Sequence, residues 1–349
     1  MNKPATIVHD IQTPAQFGFI RAGDLKPRPM NWQINTLFES DSLVLIVGPP
    51  SVGKSFWTMD LAACIATGTD HHGRTAKQGG IHYIAGEGHN GIARRLKAWQ
   101  IKNATNLDDA PFFVSQMPAT IGDPVNTSAV MEAIKETGAE PALVVLDTLN
   151  RNMAGNENDT ADMRAFIQCC DEIRAAHKCT VALVHHTGHG DQSRARGSSV
   201  LHGAIDTTFM LSKSPAGIVT VECTRMKDGP IPDPFAFKFR TVEIGIQNDD
   251  GTEATSAVLH PTDIPEEQPK VTGKNQTAAL AALDDLFEQR QANLEGSGHE
   301  PTTARVRVDD WRDACMKRMG KTGFYAAKKS LVDKGQIEIE PGGFVRRNQ

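Results

Sequence analysis

The chain has 349 residues, of which 39% are apolar and 23% are charged. This length and composition exclude a fibrous or a disordered protein, and they predict one α/β core with a smaller second unit. The formal net charge of -5 excludes binding to nucleic acid through overall positive charge, so any such contact must come from local basic clusters.

A doubly wound α/β domain is predicted between Ser42 and Ser212. Short runs rich in β-forming residues alternate there with helical stretches, a pattern typical of a parallel sheet covered by helices on both faces. These runs are residues 43–47, 81–85, 112–115, 142–147, 180–185 and 207–211. Three further runs, residues 217–225, 234–240 and 242–246, have no helix between them and predict an antiparallel extension at one edge of the sheet.

After residue 246 the sequence predicts a linker and a second domain. Residues 247–275 are polar and rich in proline and acidic residues, a composition that buries little apolar surface. Helices over about 277–291, 308–318 and 322–334, followed by a hairpin over 336–347, give the outline of a winged helix. The predicted segments are 1–40, packing on the core, 41–246 as the α/β domain, 247–275 as the linker and 276–349 as a winged-helix-like domain.

Residues 48–55 carry the first chemical motif. Their sequence, Gly-Pro-Pro-Ser-Val-Gly-Lys-Ser, matches G-x-x-x-x-G-K-S/T and lies between a predicted strand and a predicted helix, as a phosphate-binding loop requires. We expect Lys54 to reach the β- and γ-phosphates and the hydroxyl of Ser55 to hold Mg²⁺. The motif predicts ATP and Mg²⁺ as ligands, in a nucleotide site formed by Gly48, Pro49, Pro50, Ser51, Val52, Gly53, Lys54, Ser55 and Phe56.

Acidic residues follow two of the predicted strands. Asp147 ends an apolar run, which places its carboxylate at the carboxyl edge of the sheet, beside the phosphate-binding loop. A carboxylate at that position can complete a Mg²⁺ site with Ser55. Glu87 follows the run 81–85 and stands between two glycines, which permit close approach to a ligand.

An ordered set of short motifs adds a resemblance to a known family. The motifs are Asn31-Trp32, the loop 48–55, Ile-Ala-Gly-Glu-Gly at 84–88, Leu-Asp-Thr at 146–148, His-His-Thr at 185–187 and Arg-Gly-Ser-Ser at 196–199. Over residues 17–240 the chain resembles the RecA-like AAA-type ATPases of phages and plasmids, which include the hexameric RepA-type replicative helicases. The resemblance implies a ring or filament in which ATP lies between subunits and each site is completed in trans by a basic residue.

The same resemblance implies roles for single residues. Glu87 would be the general base that orients the attacking water, and His186 or His185 would be a polar sensor of the γ-phosphate. Arg196 matches the arginine-finger position of the helicases. Arg225 and Lys227 resemble the basic pair that reaches a neighbour's γ-phosphate, in reversed order, so the sequence leaves open which of the two has the larger effect.

Two regions are candidates for contact with DNA. The segments 151–159 and 188–194 follow strand ends where the family places the loops that line the DNA path, and Arg151 and Arg194 suit phosphate contact. In the C-terminal domain, Lys328 and Lys329 lie on a predicted helix whose apolar face is formed by Phe324, Ala327 and Leu331. This domain either binds DNA or docks on proteins, and the sequence leaves both interpretations open.

The combined motifs predict a homo-oligomeric, hexameric ATP-dependent DNA motor of helicase type that serves phage or plasmid replication. One alternative is a recombination or repair ATPase that binds single-stranded DNA without unwinding it. Another is a DNA-binding regulator that is switched by ATP. A small-molecule kinase is disfavoured because the sequence has neither a lid nor an acceptor-substrate motif.

The remaining features of the sequence concern its location. Six cysteines are scattered without the spacing of a zinc finger or a disulfide framework, which fits a reducing compartment. The first ten residues contain no apolar signal segment, and no later run approaches the roughly 18 apolar residues of a membrane span. We expect a cytoplasmic protein of a bacterial host cell or one encoded by a phage.

Overall fold

The computed structural model describes residues 18–86, 88–187, 198–264, 273–297, 300 and 303–347. The chain divides into two compact units, Met1–Ile264 and Pro265–Gln349. Within the described residues, no helix combines the length and the apolar character needed to cross a bilayer.

The first unit is built on a nine-stranded sheet. A short 3-10 helix, Ala22–Asp24, and a small hairpin precede this sheet. The hairpin consists of β1 (Trp32–Ile34) and β2 (Phe38–Glu39), and the sheet of β3 (Leu43–Gly48), β4 (Gly80–Ala85), β5 (Phe112–Val114), β6 (Pro141–Asp147), β7 (Thr180–His186), β8 (Thr207–Lys213), β9 (Val219–Met226), β10 (Phe235–Gln247) and β11 (Glu253–Thr262). The strand order is β11-β10-β9-β8-β3-β7-β6-β4-β5.

The six strands from β3 to β8 pair in parallel, and β9, β10 and β11 extend the sheet in antiparallel fashion. The helices of this unit are α1 (Lys54–Thr67), α2 (His89–Asn103), α3 (Pro124–Glu136), α4 (Leu149–Asn152), α5 (Thr160–His177) and α6 (Ser199–Ala204). The predicted α/β fold, a mostly parallel sheet with an antiparallel extension, is confirmed.

Two buried clusters cover the two faces of the sheet, as the continuous apolar runs of the central strands require. In β3, Val44 and Ile46 belong to the cluster that includes α1, whereas Leu43, Leu45 and Val47 belong to the cluster that includes α5. Because the strand is buried on both sides, it shows no polar alternation. The hairpin β1–β2 also packs on the core, since Ile34, Leu37 and Phe38 are buried in the first cluster.

The predicted linker is wrong at its N-terminal end. Residues 234–240 and 242–246 form one strand, β10, and residues 253–262 of the predicted linker form β11, which pairs with β10 along most of its length. Ala254, Val258 and Leu259 of this strand are buried. The polar residues that suggested a linker are the turn of the hairpin, where Gly251 adopts a φ of 81° and Asn248 donates its N–H to the carbonyl of Thr252 at 2.8 Å.

The second unit contains α7 (Lys274–Gly296), β12 (Val306–Arg307), α8 (Val308–Asp333), β13 (Ile337–Glu340) and β14 (Phe344–Arg347). The two predicted helices 308–318 and 322–334 form α8, which is broken at Gly320, where φ is 66° and ψ is 174°. The strands form an antiparallel sheet in the order β12-β14-β13. Phe324, Ala327 and Leu331 are buried, which confirms the predicted apolar face, while the winged-helix interpretation stays a prediction.

Candidate active site

Two positions of the loop between β3 and α1 require glycine. Gly53 has a φ of 111°, and a Cβ added there would lie 2.7 Å from the ring of Phe239. A Cβ added to Gly48 would lie 2.7 Å from the carbonyl oxygen of Leu211. The loop ends at the N-terminus of α1, a 14-residue helix, where the helix dipole favours a bound anion.

Lys54 is the first residue of α1 and is only 5% exposed. Its Nζ donates to the carbonyl oxygens of Gly48 and Pro49, each at 2.9 Å, and lies 3.2 Å from Nδ1 of His186. Burial lowers the pKa of Lys54 from 10.5 to about 8, against the opposing effect of the negative charge of Asp147. The loop therefore holds a desolvated cation on backbone carbonyls, which a phosphate can replace.

Asp147 ends β6 beside the loop and is 8% exposed. The hydroxyl of Tyr83, on β4, donates to its Oδ2. Burial raises the pKa of Asp147, while hydrogen bonds from Tyr83 and Ser55 act in the opposite direction. Burial also raises the pKa of Tyr83 well above its usual value, so the phenol stays a donor and fixes the orientation of the carboxylate.

The two histidines at the end of β7 have different environments. Along the parallel ladder His185 pairs with Val47 and His186 with Gly48. His185 is fully buried, whereas His186 lines the cleft and contacts Lys54. A charged Lys54 can only donate, so Nδ1 of His186 is the acceptor in this contact. The geometry thus favours His186 over His185 for contact with phosphate.

These groups meet in one cleft of about 520 Å³, within the usual size range of ligand sites. Its lining contains Pro50, Ser51, Gly53, Lys54, Ser55, Phe56, Met59, Tyr83, Ala85, Gly88, Gly91, Ile92, Arg95, Asp147, Thr148, His186 and Phe239. A Mg²⁺·ATP complex fits this chemistry, because the lysine and the helix N-terminus suit phosphates and the oxygens of Ser55 and Asp147 are the ligands that Mg²⁺ prefers.

Arg95 and Phe239, which the sequence does not predict, form a wall of this cleft together with the predicted Phe56. The guanidinium carbon of Arg95, on α2, lies 4.5 Å from the ring centroid of Phe56, and Phe56 packs edge to face on Phe239 at 5.1 Å. Arg95 also lowers the pKa of Asp147 through its charge. No motif marks Arg95 or Phe239, since α2 and β10 approach the loop only in the folded chain.

Arg225 and Lys227 do not contact this cleft. Nη1 of Arg225 donates to the carbonyl of His202 at 2.8 Å, and Nζ of Lys227 lies 3.4 Å from Oδ1 of Asp206. Since β9 runs antiparallel to β8 and Thr207 pairs with Met226, both side chains lie at the edge of the sheet opposite the loop. Their own chain therefore cannot use them in its nucleotide site.

Among the candidate DNA contacts that the structure describes, Arg151 and Lys329 are exposed and Lys328 is half-buried. Arg151 is on α4, which directly follows Asp147 and Thr148. Lys329 is exposed on α8, and Nζ of Lys328 lies 5.6 Å from the ring centroid of Tyr325. The structure gives these residues no role by itself. The remaining candidates, Glu87, Arg194 and Arg196, lie outside the described residues.

Comparison with known proteins adds two findings to this geometry. The crystal structure of the RadB recombinase is similar with a TM-score of 0.43 and 18% sequence identity, covering 58% of this chain and 88% of that chain. The model of an AAA domain family matches residues 12–192, which is just over half of the 349 residues. This match contains the loop, α1 and the strand ends that carry Tyr83, Asp147 and His186, and the chain belongs to this AAA domain family.

Proposed function

We propose that this protein hydrolyses ATP with Mg²⁺ and uses the cycle to drive an oligomeric DNA motor of the replicative helicase type. The contact between Nζ of Lys54 and Nδ1 of His186 carries the proposal. It joins the phosphate-binding lysine to the end of β7, so a change at the γ-phosphate is transmitted to the segment that follows His186. That segment, residues 188–194, is the one proposed to face DNA.

Four residues of the cleft are proposed to act in hydrolysis. Lys54 would leave the carbonyls of Gly48 and Pro49 for phosphate oxygens, and its depressed pKa would rise as it gains a negative partner. Ser55 and Asp147 would hold Mg²⁺, which neutralises phosphate charge when bound. Tyr83 keeps Asp147 oriented. Glu87 is proposed as the base that orients the attacking water.

The exposed basic residues would complete the site of a neighbouring subunit. Arg225 and Lys227 lie at the edge of the sheet opposite their own loop, so they reach a γ-phosphate only from an adjacent copy. Arg196 is proposed as a further residue of this kind. This division of the site between subunits supports a homo-oligomer, with the hexamer as the proposed form.

DNA is the proposed substrate along which the motor moves. Arg151 and Arg194 would contact the phosphates of a single strand on the ATPase unit, and Lys328 and Lys329 would contact DNA through the C-terminal unit. Because the net charge of the chain is -5, these local groups must supply the electrostatic attraction, and binding should weaken steeply with salt.

The test is strand displacement on forked DNA of both polarities, together with ATPase assays with and without single-stranded DNA. We expect single-stranded DNA to raise the ATPase rate and the protein to unwind one polarity. Particle imaging with ATP and single-stranded DNA is expected to show closed rings. DNA-stimulated ATPase without unwinding, on filaments in place of rings, would favour a recombination or repair ATPase. Sequence-selective duplex binding controlled by ATP would favour the regulator.

A further inference from the structure

Three side chains of metal-binding type meet in the interior of the first unit, away from the nucleotide cleft. Asp60 lies on α1, and His71 and His72 lie in the connection between α1 and β4. Nε2 of His71 is 3.2 Å, and Nε2 of His72 is 2.7 Å, from the same oxygen, Oδ2 of Asp60. All three ligand atoms lie within 4.8 Å of one another.

The surrounding chain fixes the orientation of these groups. Nε1 of Trp99 donates to Oδ1 of Asp60 at 2.8 Å, so the carboxylate turns its Oδ2 toward the histidines. His71 and Arg74 exchange backbone hydrogen bonds of 2.8 and 3.0 Å across a two-residue turn in which His72 has a φ of 49° and Gly73 a φ of 82°. Such a turn is a tight hairpin loop of the kind that Asn-Gly usually forms. Here it presents two adjacent imidazoles to one oxygen.

The environment of His71 distinguishes this cluster from an ordinary hydrogen-bonded pair. The ring is fully buried, and among the described residues Nδ1 has no hydrogen-bond partner, while the nearest acceptor to Nε2 is Oδ2 of Asp60 at 3.2 Å. A buried polar atom without a partner costs free energy. In a tetrahedral zinc site with bonds of about 2.0–2.1 Å, neighbouring ligand atoms lie about 3.3 Å apart. From Oδ2 of Asp60, Nε2 of His71 lies at 3.2 Å, close to that separation, and Nε2 of His72 at 2.7 Å, which a bound ion would widen.

We propose that Asp60, His71 and His72 bind one Zn²⁺ ion, with water as the fourth ligand. Two imidazoles and one carboxylate are a donor set that suits Zn²⁺ and related transition ions, whereas Mg²⁺ prefers oxygen ligands. The side chain of His72 is 12% exposed, which gives the ion and its water a path from solvent.

The ion would join α1, the helix that begins at Lys54, to the connection that leads into β4. Its binding energy therefore adds to the stability of the folded unit. The site uses no residue of the nucleotide cleft, so the inference stands apart from the proposed ATPase and DNA activities.

The first experiment uses the untagged, full-length wild-type protein after treatment with EDTA, without nucleotide and in excess Mg²⁺. Zn²⁺ is titrated against a chromophoric chelator, and we expect one tightly bound equivalent per chain and a higher melting temperature. Co²⁺ in place of Zn²⁺ is expected to give the intense visible absorption of a four- or five-coordinate ion. Absence of saturable Zn²⁺ binding overturns the proposal, as does a Co²⁺ spectrum of the six-coordinate aqueous type.

The second experiment assigns the ligands. His72→Gln should weaken Zn²⁺ binding at least about ten-fold, the lower range seen when even a supporting residue of a metal site is lost, and it should remove the visible Co²⁺ bands. His260→Gln, on β11 and outside the cluster, is the matched control and should bind as the wild type does. Equal affinity in the two variants would place the ion elsewhere and overturn the assignment. The wild-type Co²⁺ spectrum decides the donor geometry even if His72→Gln is unstable.

Discussion

The two edges of the parallel sheet hold their charged residues in opposite ways. At the carboxyl edge, Lys54 and Asp147 are 5% and 8% exposed and are oriented by hydrogen bonds. At the amino edge, Arg225 and Lys227 are exposed, and among the described residues Arg225 donates to the carbonyl of His202 and Lys227 pairs with the carboxylate of Asp206. Exposed pairs of that kind contribute little to stability. The charged groups of the carboxyl edge are therefore already oriented for a ligand. Those of the amino edge can exchange their partners at little cost in stability.

Substitution of the buried lysine tests the first edge and should have the largest effect. Lys54→Ala is expected to bring ATP turnover below detection, because no other described cation contacts the carbonyls of the loop. Steady-state phosphate release measures this, with Lys97→Ala, an exposed lysine on α2, as the control. Turnover close to that of Lys97→Ala would contradict the role of Lys54.

Substitution of the exposed arginine tests the second edge. Arg225→Ala should lower the turnover of the assembled protein by about 100- to 1000-fold, the usual loss for one group that stabilises transition-state charge. It should leave nucleotide affinity unchanged in the isolated subunit, because Arg225 lies at the far edge of its own sheet. Lys227→Ala should cost less, since an ammonium spreads charge less well than a guanidinium.

Mixing the two variants decides whether the edges of neighbouring subunits meet. Arg225→Ala and Lys54→Ala proteins are expected to regain part of the activity when combined, because some mixed interfaces then join an intact loop to an intact arginine. The measurement is turnover against mixing ratio at constant total protein. If no ratio gives activity above the sum of the separate variants, Arg225 does not act in trans.

The contrast between the edges also explains what the sequence alone can predict. Short-range patterns are enough to predict the loop 48–55, the strands and Asp147. The loop is an eight-residue motif directly after an apolar run, and Asp147 directly ends another apolar run. Tyr83 gives one usable signal, since a tyrosine inside an apolar strand needs a partner for its hydroxyl. Arg95 and Phe239 give none, because their proximity to the loop depends on how α2 and β10 pack.

The errors in the predicted fold have a similar cause. Asp249-Asp250-Gly251 signals a turn, and the sequence does not tell whether a turn begins a linker or joins two long strands. The buried residues Ala254, Val258 and Leu259 of β11 decide the matter only through contacts with other elements. The sequence gives no signal for the cluster of Asp60, His71 and His72 for the same reason, because ten residues lie between its carboxylate and its first imidazole and only the fold of this connection brings them together.

Removal of the Tyr83 hydroxyl tests how far the carboxyl edge is oriented in advance. Tyr83→Phe deletes the donor that fixes Asp147, so the carboxylate pKa should rise further and the Mg²⁺ concentration that supports half-maximal turnover should increase about ten-fold. A Mg²⁺ titration at saturating ATP measures this. Tyr325→Phe is the matched control, as Tyr325 is the only other tyrosine of the chain. An unchanged Mg²⁺ requirement would show that Asp147 does not need Tyr83.

The pH dependence of nucleotide binding should give the smallest effect and the most direct view of Lys54. Its pKa is lowered to about 8 by burial, so the unliganded protein loses this proton as the pH rises through 8, whereas a bound triphosphate holds it. Binding should then take up a proton, and affinity should fall by up to about ten-fold per pH unit above 8. The phosphates add no such change there, since their last pKa is about 6.

Calorimetry at pH 8.5 in two buffers of different ionisation enthalpy measures the uptake, and Lys54→Met should abolish it. Equal proton uptake in both proteins would mean that another group carries the charge.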